Sequence, residues 1–326
     1  MQSPESSLIA SDRPLNGRAT AEMLAASLSF ATMACIAHGF QQEVAWPLIA
    51  FTRIAMTMAV VLAIVWMAGA PMTLRGNRAL WWRTIMGTIS LLCTFYSLAH
   101  LPVTDTVTIF AVGPVWIAII LAVGFRRPAP LSTWLLAGLA VAGIYVMVRP
   151  QFDAALFPLA VAVFGSVTAA GAMVSLSFCR RLPALTVVAH YSTFATLTTL
   201  ALSLVQPSSI IAGHGPEAVQ WLWLIPLGLT GTLGQVFLTS AYGHGTPVLV
   251  ALVGISQMLF AAGYDVLVWG RHFDGPEIGG MAAVAVAISF SIMLNSREAA
   301  GVASGEEAPV GPAAQDLNIV SGQQNA

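Results

Sequence analysis

A chain of 326 residues would ordinarily hold one or two soluble domains, but here only 8% of residues are charged and 57% are hydrophobic, with a mean hydropathy of +0.80. A soluble globule carries about 25% charged residues, so this composition excludes one. The formal net charge of −1 rests on 13 basic residues, all arginine, and no basic cluster is large enough for a nucleic-acid surface. Three cysteines, Cys35, Cys93 and Cys179, stand singly in separate apolar stretches. They suit buried small hydrophobes better than a disulfide framework or a zinc site.

The first 20 residues are polar, carry no cleavable signal, and read as a disordered tail. Apolar runs follow at 21–39, 47–68, 83–100, 104–124 and 131–148. A second set covers 157–178, 184–205, 219–240, 247–269 and 278–294. Each is close to the ~20 residues needed to cross the hydrocarbon layer, so the expectation is an all-α integral membrane protein with ten transmembrane helices. The third and fourth runs are divided only by His100-Leu101-Pro102-Val103, and the eighth and ninth by Gly243-His244-Gly245-Thr246-Pro247. From Arg297 the chain is rich in Ala, Gly, Glu and Gln and is expected to be a second disordered tail, over 296–326.

Arginine placement gives sidedness. With the N-terminus inside, ten of the 13 arginines fall on the cytoplasmic side: Arg13, Arg18, Arg75, Arg78, Arg83, Arg126, Arg127, Arg180, Arg181 and Arg297. Arg149 and Arg271 fall outside, and Arg53 lies within a span. This positive-inside bias predicts an N-in, C-in topology with an even number of spans.

The halves echo one another. Phe95-Tyr96-Ser97, Pro102 and Pro114 have counterparts in Thr239-Ser240-Ala241, Thr246 and Met258, and Pro47 followed by Arg53 matches Pro183 followed by His190. Five spans repeated once, over 21–150 and 151–295, place the repeats in opposite orientations, an architecture of many secondary transporters. Hydropathy echoes of this kind also arise by chance in polytopic proteins.

Over roughly residues 20–295 the chain resembles the ten-helix EamA-type branch of the drug/metabolite transporter superfamily. The resemblance rests on Pro47-Leu-Ile-Ala-Phe-Thr-Arg53, Phe95 through Pro102, Gly113-Pro114-Val115-Trp116, Trp134 through Gly138, Gly143 and Pro150. In the second half it rests on Gly228 through Tyr242 and Gln257 through Gly270. Two features depart from the family pattern. Phe125-Arg126-Arg127 and Gly270-Arg271-His272 stand where a Gly-Glu pair is usual, and Met258 stands where a proline is common. A proton-coupled mechanism built on those glutamates is therefore excluded.

Polar residues inside apolar runs are the candidate site. Arg53 cannot be neutralised, so it must face a cavity, a partner or the interface; it reads either as a contact for an anionic substrate group or as a structural cation. Asp265 is the clearest intramembrane acid, a candidate for proton or cation coupling or for a structural pair. Asp105 opens the fourth span and reads as a helix-terminal carboxylate. Among His38, His190 and His244, His190 is the best placed to titrate within the membrane, the alternative being a packed, hydrogen-bonded histidine. Tyr96, Trp116, Tyr242, Gln257 and Tyr264 lie near mid-membrane on helices that line the central cavity in the family resembled, where aromatic faces and one amide would hold an organic solute. Trp46, Trp66, Trp81, Trp82, Trp221 and Trp269 read as an interfacial belt. Gly87, Gly138, Gly143, Gly228, Gly231 and Gly234 suit close helix packing, and Pro114 should kink the fourth span.

No metal-ligand spacing, catalytic cluster or Walker motif is present, so an enzyme or an ATP-driven pump is excluded. The function expected is secondary transport of a small organic metabolite across a cell membrane, the bacterial inner membrane in the family resembled, with a coupling proton or ion as a possible partner and no cofactor. A channel or a structural membrane protein is the alternative, and neither monomer nor homodimer is selected.

Overall fold

The structure, a computed structural model, describes residues 17–38, 46–67, 77–150, 152, 156–205 and 218–303, with the side chains of 103–104, 218–224 and 294–303 left aside. Twelve α-helices and no strand are found among the described residues. They are α1 (Gly17–His38), α2 (Trp46–Met67), α3 (Arg78–His100), α4 (Val103–Ala111), α5 (Gly113–Phe125) and α6 (Leu131–Val148). The second half gives α7 (Leu156–Leu176), α8 (Ala184–Val205), α9 (Ala218–His244), α10 (Pro247–Gly254), α11 (Ser256–Trp269) and α12 (Gly275–Ala303). Eight segments among the described residues are long and apolar enough to cross a membrane, with α4–α5 forming one of them and α10–α11 another. The other two long helices, α3 and α9, are not among the eight. In α3 the buried Arg83 and a run of hydroxyl residues dilute the hydropathy.

Local chemistry sets the ends. Asn77 caps α3 by accepting the Leu80 N–H at 3.0 Å, which starts the helix five residues before the apolar run does. Leu101-Pro102 turns the chain into α4, and Gly245-Thr246 turns it into α10. At the start of α12, Asp274 and Glu277 exchange side chain-to-backbone bonds, each 2.9 Å long, as a capping box. α12 runs through the stretch expected as a tail, as far as Ala303, and α1 begins at Gly17; the remainder of both expected tails lies outside the described residues.

α1 packs along α9 and α3 along α7, while α2 faces α8 and α6 faces α12. Pro114 breaks its span as expected, separating α4 from α5 at Val112. The second break, at Ile255, forms without a proline. At each break a buried serine from a neighbouring helix donates to a backbone carbonyl. Ser166 of α7 donates to the Ile109 carbonyl at 3.0 Å, and Ser27 of α1 donates to the Gly254 carbonyl at 3.3 Å. The kinks are therefore held by the packing and not by proline alone.

Of the glycines expected at helix contacts, Gly87, Gly143, Gly228, Gly231 and Gly234 do lie against neighbouring atoms. Gly138 does not: nothing approaches within 4 Å of where its Cβ would be, so this position faces away from the bundle.

Candidate functional site

A cavity of about 1330 Å³ runs into the bundle between the two halves. Its exposed wall residues, Ala34, Ala99, His100, Trp269 and Arg271, lie at one end of the bundle, so the mouth is where α1, α3 and α11 finish and α2 begins. The walls are mostly apolar, with Phe30, Phe95, Leu98, Phe110 and Met258 prominent. Few polar groups interrupt them, as in sites that orient an organic ligand through a handful of contacts.

Arg53 projects from α2 into this space. Its guanidinium carbon lies 6.0 Å from the Phe30 ring centroid and 5.8 Å from that of Phe95, so two aromatic faces bracket the cation. Gly231 on α9 leaves space beside Nε; a Cβ there would stand 3.5 Å away. No acceptor for the guanidinium is found among the described residues. A permanent cation with five donors, held over a cavity, is built to meet an acceptor brought by a ligand or by water.

Tyr242, Gln257, Tyr264 and Asp265 join Arg53 on the wall. The Tyr264 hydroxyl shares a 2.7 Å hydrogen bond with Thr32 of α1. Tyr242 is buried at the inner end of the cavity, and Gln257 follows directly on the α10–α11 break. Asp265 lies less deep than its sequence position suggests. It stands in the last turns of α11, half-exposed, paired with Arg271 at 3.2 Å. Arg271 also reaches Glu277 at 3.0 Å, and Arg149 binds Asp274, so the mouth is rimmed by ion pairs. The Glu277 amide and then Arg149 hold the Asp274 carboxyl below its ordinary range.

Three expected site residues are elsewhere. His190 is buried between α3 and α8, sharing a 2.7 Å bond with Thr84 and packed against Trp81 and Phe194. Trp116 lies against the apolar core. Tyr96 stacks on His100 with centroids 4.1 Å apart and meets Trp46 edge-on, behind the wall and not on it. Asp105 is buried and accepts the Phe152 N–H at 3.0 Å, which ties the α6–α7 connection to the start of α4. Of the tryptophans expected in a belt, Trp46 and Trp269 line the cavity mouth, Trp66 is exposed, and the side chain of Trp221 is outside those described. The sequence reading missed Arg83. Counted there among the cytoplasmic-side arginines, it is inside α3 and 2% exposed. The Asn77 cap was the available signal, because it starts the helix early enough to draw position 83 into the bundle.

At the end opposite the mouth, α1 and α9 are joined by Glu22 and His244, 3.0 Å apart, with Arg18 on the same carboxylate at 2.9 Å. Arg180 donates to the Gly245 carbonyl at 3.0 Å, and Phe125 packs on Phe178. None of these residues lines the cavity. Among the described residues no group of His, Cys, Asp or Glu could hold a metal ion.

Residues 20–149 match the EamA-like transporter family. The chain is also similar to the pseudopaline exporter CntI of Pseudomonas aeruginosa, 26% identical over 267 residues that make up 80% of this chain and 91% of that one. An uncharacterised transporter of Helicobacter pylori is 21% identical over 61% of this chain and 64% of its own length. A solved crystal structure superposes with a TM-score of 0.71 at 18% identity, covering 86% of this chain and 98% of that one, which shows a shared fold. The match over residues 20–149, the transporter relatives and the apolar helices make the chain a multi-pass cell-membrane transporter of a small metabolite, and not an enzyme.

Proposed function

We propose that the chain is a secondary transporter working by alternating access, with the cavity as its cargo site and Arg53 as the group that receives an anionic part of the cargo. The observation that carries this reading is a guanidinium bracketed by two phenylalanines, without an acceptor among the described residues, on the wall of a metabolite-sized cavity. The architecture proposed is ten spans in two inverted five-helix repeats. Pairing of α1 with α9 beside α3 with α7, and the two serine-held breaks, support it, because each contact has a counterpart in the other half. In the conformation seen, the cavity opens at one end, and the Glu22–His244 and Arg180–Gly245 contacts close the other. Export is the proposed direction, by likeness to the pseudopaline exporter, and the cargo class is a small organic anion.

Asp265 is the one carboxylate on the described cavity wall, so proton coupling through a side-chain acid there runs through it. Purified protein in proteoliposomes, offered a panel of metabolite anions with and without an imposed pH gradient, tests the reading. The expected result is saturable uptake of at least one anion, stimulated by the gradient in the native chain and not in Asp265→Asn. Uptake indifferent to the gradient, with Asp265→Asn fully active, removes the coupling step and leaves the transport reading. No saturable uptake of any anion removes both.

Sidedness is proposed as N-in and C-in, on the arginine bias. A cysteine introduced between α2 and α3, within residues 71–76, is expected to react with an impermeant maleimide only in inverted vesicles. Reaction in intact cells would sink this orientation.

A further inference from the structure

Arg83 is a second cation that the cavity does not use. It projects from α3 into the interior at 2% exposure, with its guanidinium carbon 4.4 Å from the Tyr191 ring centroid of α8. Its Nε is fully buried and bonded to nothing, and the guanidinium has no carboxylate or other acceptor among the described residues. The room it occupies is made by Gly87, one turn along the same helix, where a Cβ would stand only 2.0 Å from a terminal nitrogen. A charge buried without a counter-ion costs several kcal/mol, so a site of this kind persists where a ligand uses it.

Its position relates it to the cargo path. Seventeen residues of α3 separate Arg83 from His100 at the mouth, about 26 Å along the axis at 1.5 Å per residue. Tyr242 lines the cavity two residues from His244 of the closed end, and Tyr191 lies over Arg83. Arg53 therefore lies on the cavity wall, and Arg83 lies toward the end of the bundle away from the mouth.

We propose that Arg83 is a second oxyanion site, which takes the carboxylate of the cargo when the bundle opens at the end away from the present mouth and passes it to the Arg53 side. The inference rests on the alternating-access reading above. A planar carboxylate fits because the guanidinium offers paired donors to it and Tyr191 covers one face.

The test uses the full wild-type chain in detergent free of anionic lipid, with citrate as the carboxylate probe and chloride at matched ionic strength as the control. Phenylglyoxal modification is mapped by mass spectrometry. The expected result is slow labelling of Arg83 that falls about tenfold at a citrate concentration near ten times half-saturation, with chloride without effect. Arg83→Met is expected to unfold at the same or a higher temperature than the native chain, since it removes an unpaired buried charge. Citrate protection of Arg53 with none at Arg83 overturns the second site and leaves the cargo reading intact. Arg83 that never reacts, or an Arg83→Met variant that folds but melts lower with its citrate response unchanged, overturns it as well. Should Arg83→Met fail to fold, the wild-type labelling decides alone. Protection at neither arginine overturns both assignments.

Discussion

Arg53→Met is expected to lower kcat/KM for an anionic cargo about 100-fold in proteoliposomes while leaving thermal unfolding of the empty protein unchanged or slightly raised. The asymmetry follows from the geometry. The guanidinium meets Phe30 and Phe95 but no acceptor among the described residues, so truncating it breaks no hydrogen bond inside the protein. What is lost is a charge-assisted bond to the cargo, about 3 kcal/mol, which is about 100-fold. Methionine keeps the apolar stem against both rings, so packing is little disturbed. Arg53→Lys should fall between the two, because an ammonium keeps the charge but not the planar fork. A methionine variant that transports at the native rate, or one that fails only because it melts far lower, would place Arg53 outside the cargo site.

The membrane class, the helix runs and the second-half turns were legible because hydrophobic length is a coarse and strong signal. Arg53, Tyr242, Gln257, Tyr264 and Asp265 were legible for a similar reason: a polar residue in an apolar run must face something other than lipid. What the sequence does not encode is the direction each residue faces around its helix. These helices are apolar on nearly every side, so no amphipathic stripe marks an inner face. Tyr96 and Trp116 illustrate the consequence. Phe95, Leu98 and Ala99 line the cavity, as do Pro114 and Ile117, while Tyr96 and Trp116, one step around the same helices, point elsewhere. His190 reached the interior as expected, but its partner Thr84 belongs to α3, and that pairing over 106 positions has no local signature. Ser27 and Ser166 went unnoticed for the same reason, since a serine in a membrane helix looks like any small residue until the carbonyl it serves is seen. Ser27 bears on the break beside Met258, which stands in place of a proline. The break needs a satisfied carbonyl, and Ser27 supplies the donor.

Gly280→Leu is expected to destabilise the fold by about 3–5 kcal/mol. At this point α12 meets α6 backbone to backbone. A Cβ on Gly280 would lie 2.5 Å from the Gly143 carbonyl oxygen and 2.7 Å from the Met147 nitrogen, and neither atom can rotate away. The helices must separate, and contacts among Ala140, Ile144, Val284 and Ala287 open with them. The contact is reciprocal. A Cβ on Gly143 would stand 2.8 Å from the Gly280 oxygen and 3.0 Å from Val284, and Val284 follows Gly280 by the same four residues by which Met147 follows Gly143. Reciprocity of this kind is what a two-fold relation between inverted repeats requires where its last helices meet. Gly143→Leu should therefore cost the same as Gly280→Leu to within about 0.5 kcal/mol, while Gly138→Ala on the open face of α6 should be neutral or stabilise by up to about 1 kcal/mol. Thermal and denaturant unfolding of the three variants in one detergent decides the matter. Two equal losses beside a silent Gly138 support the paired repeats, and a large loss at one glycine with none at the other removes the symmetry argument while leaving each helix contact in place.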